Sequence, residues 1–209
     1  EYYMLSIITV TLNNQKTIAD QLRSAVLACE GLEFEQIVVD NNSKDKSVEL
    51  IESSFPLVKL IKNRKNLGFA KANNQGLEIA KGEYILFLNP DMILEKGSLA
   101  GMIEYLKQNP DVGILSPKLI KGNGSFNIGD GPRRFPLVRD VFYLFFKIYK
   151  LFPKLLNRYY FVDLNTNLVQ EVDSVRGSFM LMNKKVAQSL IDDNPEKFFW
   201  DERFFCWFE

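Results

Sequence analysis

The chain has 209 residues, 46% of them hydrophobic, and its 26 Lys+Arg balance 26 Asp+Glu, so the net charge is zero. That length and apolar share suit one domain with its own core, and the charge balance excludes nucleic-acid binding through bulk charge. There is no histidine and there are only two cysteines, Cys29 and Cys206, which excludes histidine-based zinc sites, Ser-His-Asp and Cys-His triads and a disulfide framework.

Any chemistry must therefore run on carboxylates, amides, hydroxyls, lysine or arginine. In chain order, "LSIITVT" (5–11) is a β-branched apolar run and predicts a buried strand. Ile18, Leu22, Ala25, Val26 and Cys29 follow at helical spacing. "FEQIVVD" (34–40) predicts a second strand, and "SKDKSVELIESSF" a helix with Ser43 as its N-cap. "VKLIKN" (58–63), "FAKANNQGLEIAK" (69–81) and "YILFL" (84–88) continue as strand, helix and strand. Strands separated by helix-length connections imply parallel pairing, hence an open, mostly parallel α/β sheet flanked by helices. Further on, "VGILSPKLI" (112–120) reads as a strand and "KGNGSFNIGDGPRRFP" (121–136) as turns. An aromatic-basic zone covers 137–161, before a strand at 172–183, a helix at 184–193 and an aromatic end.

Open α/β sheets bind ligands beyond the carboxyl ends of their strands. Thr11 and Asn13, Asp40 with Asn41, Asn42 and Ser43, Asn63 with Asn66 and Gly68, and Asn89 with Asp91 all fall at those ends. Asn, Asp, Ser and Gly also favour ordinary turns, but four decorated tips on one rim point to a ligand. Asp91 suits a hard divalent cation that takes few protein oxygens and completes its shell with phosphate; a plain turn after Pro90 is the alternative. Asp40 suits the N3–H donor of uracil or thymine, with an Asx-turn as the alternative. Arg133 and Arg134 are read either as contacts to a diphosphate or anionic acceptor or as a solvated pair.

"LSIITVTLNN", "IVVDNNSKD", "NLGFAKANNQGLEIAKGEYILFLNPD" and "VRGSFMLMNKKV", in that order, resemble the inverting glycosyltransferases of family two, over nearly the whole chain. "NLGFAKANNQG", "LNPD" and "RRFP" are most similar to rhamnosyltransferase-like members that build bacterial surface polysaccharides. The resemblance implies a single GT-A domain, with a nucleotide-sugar-binding half at 1–120 and an acceptor-side half at 121–209. Thr11 and Asn13 would lie beside the base, and Asp40 would bind it. Asn66, Gly68 and Asn73 would shape the donor pocket. Asp91 matches the last Asp of the family's DxD motif and would reach the diphosphate through Mg²⁺ or Mn²⁺, while Asn89 departs from the first. Arg176, Gly177 and Ser178, with Trp200 and Asp201, would lie on the acceptor side. The donor expected first is dTDP-rhamnose, then UDP-sugars, and the acceptor is a saccharide or a lipid-linked saccharide.

"WDERFFCWFE" resembles the segment leading to the family's Glu-Asp pair, whose Asp is the general base. The chain ends at Glu209, where the Glu of that pair would stand, so the base is expected just past it and a longer form is expected to restore transfer. A nucleotide-sugar-binding module without turnover is the alternative. A sugar nucleotidylyltransferase ranks lower, because "TLNNQKT" has no Gly-rich basic phosphate loop. "EYYMLSIITV" lacks the basic flank and cleavage site of a signal peptide, and charges interrupt 137–156 too often for a bilayer span. The expected location is the cytoplasm, including the inner face of the membrane. The zone 137–161 has the composition of an interfacial amphipathic helix or of a core helix with snorkelling lysines.

Overall fold

The computed structural model describes residues 4–127 and 131–204. In chain order its elements are β1 (Leu5–Thr11), α1 (Ile18–Ala28), β2 (Phe34–Asp40), α2 (Ser47–Ser54), β3 (Lys59–Lys62), α3 (Phe69–Ile79), β4 (Tyr84–Leu88), α4 (Ser98–Gln108), α5 (Val138–Phe145), β5 (Phe179–Asn183) and α6 (Lys184–Asp193). The chain divides into two packed units, Glu1–Leu115 with Gly177–Glu209, and Ser116–Arg176.

In the first unit the described strands form one sheet in the order β3-β2-β1-β4-β5. The first four are parallel, and β5 runs antiparallel to β4. The mostly parallel α/β expectation is therefore met. The chain winds outward from β1 to β3, then returns to pair β4 on the other side of β1. That reversal makes the carboxyl ends of β1 and β4 the switch point, where the sheet opens a crevice.

Alternate residues face opposite layers, as strand geometry requires. Leu5, Ile7, Leu86, Leu88, Phe179 and Leu181 pack with Ala25, Ala28, Leu99 and Ile103 from α1 and α4. Ile8 and Phe87 point the other way. There α3 lies so close that a Cβ on Gly76 would stand 2.5 Å from Ile8 Cγ2. At the amino ends of the strands, the buried Glu35 accepts from Ser6 Oγ at 2.6 Å and the Lys81 N–H at 2.6 Å, and pairs with Lys59 Nζ at 2.5 Å. Burial pushes the Glu35 carboxyl up, but the hydrogen bonds from Lys59, Ser6 and Lys81 outweigh it and hold it below its ordinary value.

Several expected elements differ. Ser43 does not cap α2: its Oγ accepts the Asn13 N–H at 2.8 Å, and the helix begins at Ser47, whose N–H goes to Asp45 Oδ1 at 3.0 Å. The helix α4 lies where no element was expected. Residues 112–120 form bridges only at Leu115 and Ile120, consistent with Pro117, which has no N–H for a ladder. The strand expected over 172–183 shortens to β5, because Asn89 gives its N–H to the Ser178 carbonyl at 3.0 Å and Pro90 then ends the pairing.

In the second unit, Arg133 and Ser174 form an antiparallel bridge, and residues 137–161 break into α5 and 3₁₀ turns at Ile148–Lys150 and Pro153–Leu156. The buried Asp140 anchors α5, accepting the Leu137 N–H at 2.8 Å and pairing with Arg158 at 3.5 Å.

Candidate functional site

The carboxyl ends of β1, β2 and β3 are tied together through the backbone. The Asn41 N–H donates to the Thr11 carbonyl, and the Asn63 N–H to the Asp40 carbonyl, each at 2.9 Å. Asn13 adopts left-handed backbone geometry, φ 58°, which Asn tolerates better than most residues. Its N–H donates to Ser43 Oγ at 2.8 Å, and its Oδ1 accepts the Lys44 N–H at 2.7 Å. The loops after β1 and β2 thus hold each other. Asp40 is buried, and its carboxylate accepts the Asn42 N–H at 3.0 Å and the Ser43 N–H at 3.1 Å. The Asx-turn is therefore present. A carboxylate offers about four lone-pair sites, so the turn leaves acceptor capacity.

A second set of amides fixes the start of α3. Asn41 is buried and donates to the Gly68 carbonyl at 3.0 Å, while its Oδ1 accepts from Asn63 Nδ2 at 3.0 Å. Asn63 also pairs with Gln75 in both directions, at 2.9 and 3.1 Å. Asn66 Oδ1 accepts the Gly68 N–H at 2.9 Å, and Gly68 turns the chain into the helix with φ 84°. Asn73 lies one turn into α3, buried, donating to the Phe69 carbonyl at 3.0 Å. Thr11, Asn13, Asp40, Asn66 and Gly68 stand at strand tips and the entry to α3; Asn73 stands within the helix.

Asp91 follows β4, three residues past Leu88. Its side chain is exposed and makes no hydrogen bond or ion pair among the described residues. Among those residues no group of three or more His, Cys, Asp or Glu could hold a metal ion. Asp91 therefore fits a hard cation only as a single protein ligand, with phosphate and water completing the shell.

Of the residues expected on the acceptor side, Gly177 and Ser178 belong to the first unit and Arg176 to the second. A Cβ on Gly177 would meet Phe69 Cζ at 3.6 Å and Trp200 Cη2 at 3.7 Å. Ser178 Oγ is buried without a hydrogen-bond partner. The Trp200 ring packs edge-on against Phe69 and Phe87, each with centroids 5.3 Å away. Its backbone is gripped by Asn74, which sequence reasoning passed over. Asn74 Nδ2 donates to the Trp200 carbonyl at 2.8 Å, and Asn74 Oδ1 accepts the Trp200 N–H at 2.9 Å. A signal was available: asparagine is a poor helix former, and "NNQ" inside a helix marks side chains with other work.

Asp201 is held by Arg203, with Nη2 to Oδ2 at 2.5 Å and Nε to Oδ1 at 2.9 Å. Those bonds pull its carboxyl below the usual range, and a lowered pKa makes a weak general base. Glu209 lies outside the described residues. Within the second unit, Arg133 is buried, donates to the Gly131 carbonyl at 2.8 Å and stacks over Tyr160. Arg134 pairs with Asp163 at 2.9 Å and lies over Phe161. Neither is a solvated loop arginine.

The sequence and fold match known proteins. Poly(ribitol-phosphate) beta-N-acetylglucosaminyltransferase TarP of Staphylococcus aureus is 27% identical over 163 residues, 72% of this chain and 49% of that protein. Poly-beta-1,6-N-acetyl-D-glucosamine synthase of Staphylococcus epidermidis is 32% identical over 117 residues, 54% of this chain and 27% of that protein. The crystal structure of S. aureus TarS 1–349 with UDP-GlcNAc superposes with a TM-score of 0.52 at 28% identity, covering 58% of this chain and 36% of TarS 1–349. The chain thus spans less than half the length of these relatives. The fold it shares with them is GT-A. The Glycosyl transferase family 2 model matches residues 6–190, most of the chain, which therefore belongs to glycosyl transferase family 2.

Proposed function

We propose that this chain binds a pyrimidine nucleoside-diphosphate sugar on the rim formed by β1, β2, α3 and β4, and transfers the sugar with inversion to a saccharide or lipid-linked acceptor in polysaccharide synthesis. The observation that carries this is the gathering of Thr11, Asn13, Asp40, Asn66, Gly68 and Asp91 at the switch-point end of the sheet. Thr11 and Asn13 flank the base, and Asp40 accepts its N3–H on lone pairs the turn leaves unused. Asn66 and Gly68 set the chain path beside the sugar-diphosphate, and buried Asn73 supports that path from within α3. Gly177, Ser178, Trp200 and Asp201 serve the acceptor side. Asp91, with the Asn89 amide nearby in sequence, would hold Mg²⁺ or Mn²⁺ against the diphosphate; when bound, the ion offsets charge on the leaving group.

The N3–H that Asp40 would accept is common to two donor assignments, one with uracil and one with thymine. A uridine donor carrying N-acetylglucosamine is supported by relatives whose names specify that sugar and by the TarS complex with UDP-GlcNAc. A dTDP-rhamnose donor is supported by "NLGFAKANNQG", "LNPD" and "RRFP". Calorimetry with dTDP, UDP, CDP and GDP, with and without Mn²⁺, tests the proposal. The expected order is dTDP and UDP above CDP and GDP, with the preference for UDP over CDP lost in Asp40→Ala and the metal dependence lost in Asp91→Ala. Equal binding of all four would overturn the base assignment, and a metal effect unchanged in Asp91→Ala would overturn the diphosphate assignment. Competition with UDP-GlcNAc and dTDP-rhamnose then decides the sugar.

A further inference from the structure

The helix α5 is amphipathic in the wrong sense for a core helix. Val138, Val141, Phe142 and Phe145 follow the i, i+3, i+4, i+7 pattern and occupy roughly 100° of the helical wheel. These four are the outward side: they are 89%, 52%, 51% and 78% exposed. Asp140, on the opposite side, is fully buried and anchors the helix. The apolar surface continues through Phe146, Leu151 and Phe152, at 59%, 78% and 61% exposed. Phe142, Phe145 and Phe146 pack on one another, with centroids 4.6 and 5.0 Å apart for the two contacts to Phe146, and leave their outer faces to water. A core helix with snorkelling lysines buries its aromatic side, so these exposures remove that alternative for α5.

Within residues 137–156 the exposed charges have one sign. From 137 to 156 the ionisable residues other than tyrosine are Arg139, Asp140, Lys147, Lys150 and Lys154. The one acid faces inward, while the three lysines are exposed and make no ion pair among the described residues. A symmetric pairing of two copies through this face would set like charges against each other, which is costly. An anionic bilayer surface satisfies both halves of the pattern: aromatic and aliphatic side chains enter the headgroup–acyl boundary, and lysines meet the negative surface potential.

We infer that residues 137–156 form a peripheral docking surface for an anionic phospholipid membrane, with Val138, Val141, Phe142 and Phe145 inserted and Lys147, Lys150 and Lys154 at the headgroups. This stands on the second unit alone and is independent of the donor assignment. Among the described residues no helix is long and apolar enough to cross a membrane.

The test is flotation of the protein with vesicles of phosphatidylcholine alone and of phosphatidylcholine with phosphatidylglycerol. Wild type is expected on the anionic vesicles and to fall off as salt rises. K147Q/K150Q/K154Q is expected to lower partitioning on the order of 100-fold, since each cation near such a surface contributes about a fivefold factor. F142S/F145S removes inserted apolar area and is expected to abolish binding even at low salt. Circular dichroism and UDP calorimetry on both variants separate lost docking from lost folding or lost donor binding. Absence of wild-type binding to anionic vesicles, or binding unchanged by both variants, overturns the inference. So does a concentration-dependent dimer that F142S/F145S converts to monomer while vesicles have no effect.

Discussion

Asn74, in the middle of α3, holds the backbone of Trp200 from both sides, donating to its carbonyl at 2.8 Å and accepting its N–H at 2.9 Å across 126 residues of sequence. The side-chain amide substitutes for a strand partner. Trp200 then sits on Phe69 and Phe87, and Glu202 receives Asn74 Nδ2 at 3.1 Å and Lys71 at 3.0 Å. The last described segment is thereby fastened to the helix that begins at the polar rim of the sheet. Asn74→Ala strips two backbone groups of their partners, and leaving buried groups unsatisfied costs about 1–3 kcal/mol. Urea unfolding should show a loss of that order, and hydrogen exchange should show faster exchange at Trp200 than in the strands. An unchanged unfolding midpoint would rule the clamp out as a stabilising contact.

Glu35 predicts an acid-side dependence of stability. Its folded pKa lies below the ordinary 4.5, so the unfolded chain binds more protons there than the folded one. The contribution is complete above about 4.5 and is lost as pH falls through the lowered folded value. Glu35→Gln should therefore be less stable than wild type at neutral pH, with the gap closing below pH 4.5. A gap that stays constant with pH would show that the carboxylate's charge does not matter.

Gly76 predicts a packing limit. A methyl there would stand 2.5 Å from Ile8 Cγ2, so α3 would have to move off the sheet. Gly76→Ala is expected to destabilise by about 1–3 kcal/mol despite the better helix propensity of alanine. The pair Gly76→Ala with Ile8→Ala, which removes the clashing Cγ2, should lose less than the sum of the two single substitutions in thermal unfolding.

Cys29 is buried, and burial pushes its thiol up to about 12. The thiolate is the reactive form, so in a Cys206→Ser background the folded protein should react slowly with a disulfide reagent and react fully in denaturant. Fast labelling without denaturant would mean that α1 opens locally.

The repeating strand and helix pattern was legible because buried parallel strands read as continuous β-branched runs, as in β1 and β2. The rim residues were legible because a strand that ends in Asp or Asn leaves a polar mark in the sequence. Helix α4, between "LNPD" and Asp111, does not stand out as an element in the sequence, and Ser43 reads as a cap although its Oγ is engaged by Asn13 and the helix starts at Ser47. Both depend on which of several local options the surrounding structure selects.

The order of residues alone determined the sheet class, the polar strand tips and the absence of histidine chemistry. Those follow from side-chain type and short-range periodicity. Only the tertiary structure decided that β4 returns beside β1, that Asn74 reaches Trp200, and that the aromatic side of α5 faces outward. Each of those depends on a contact between segments or on which side of an element is covered, and neither is encoded in spacing along one stretch of chain.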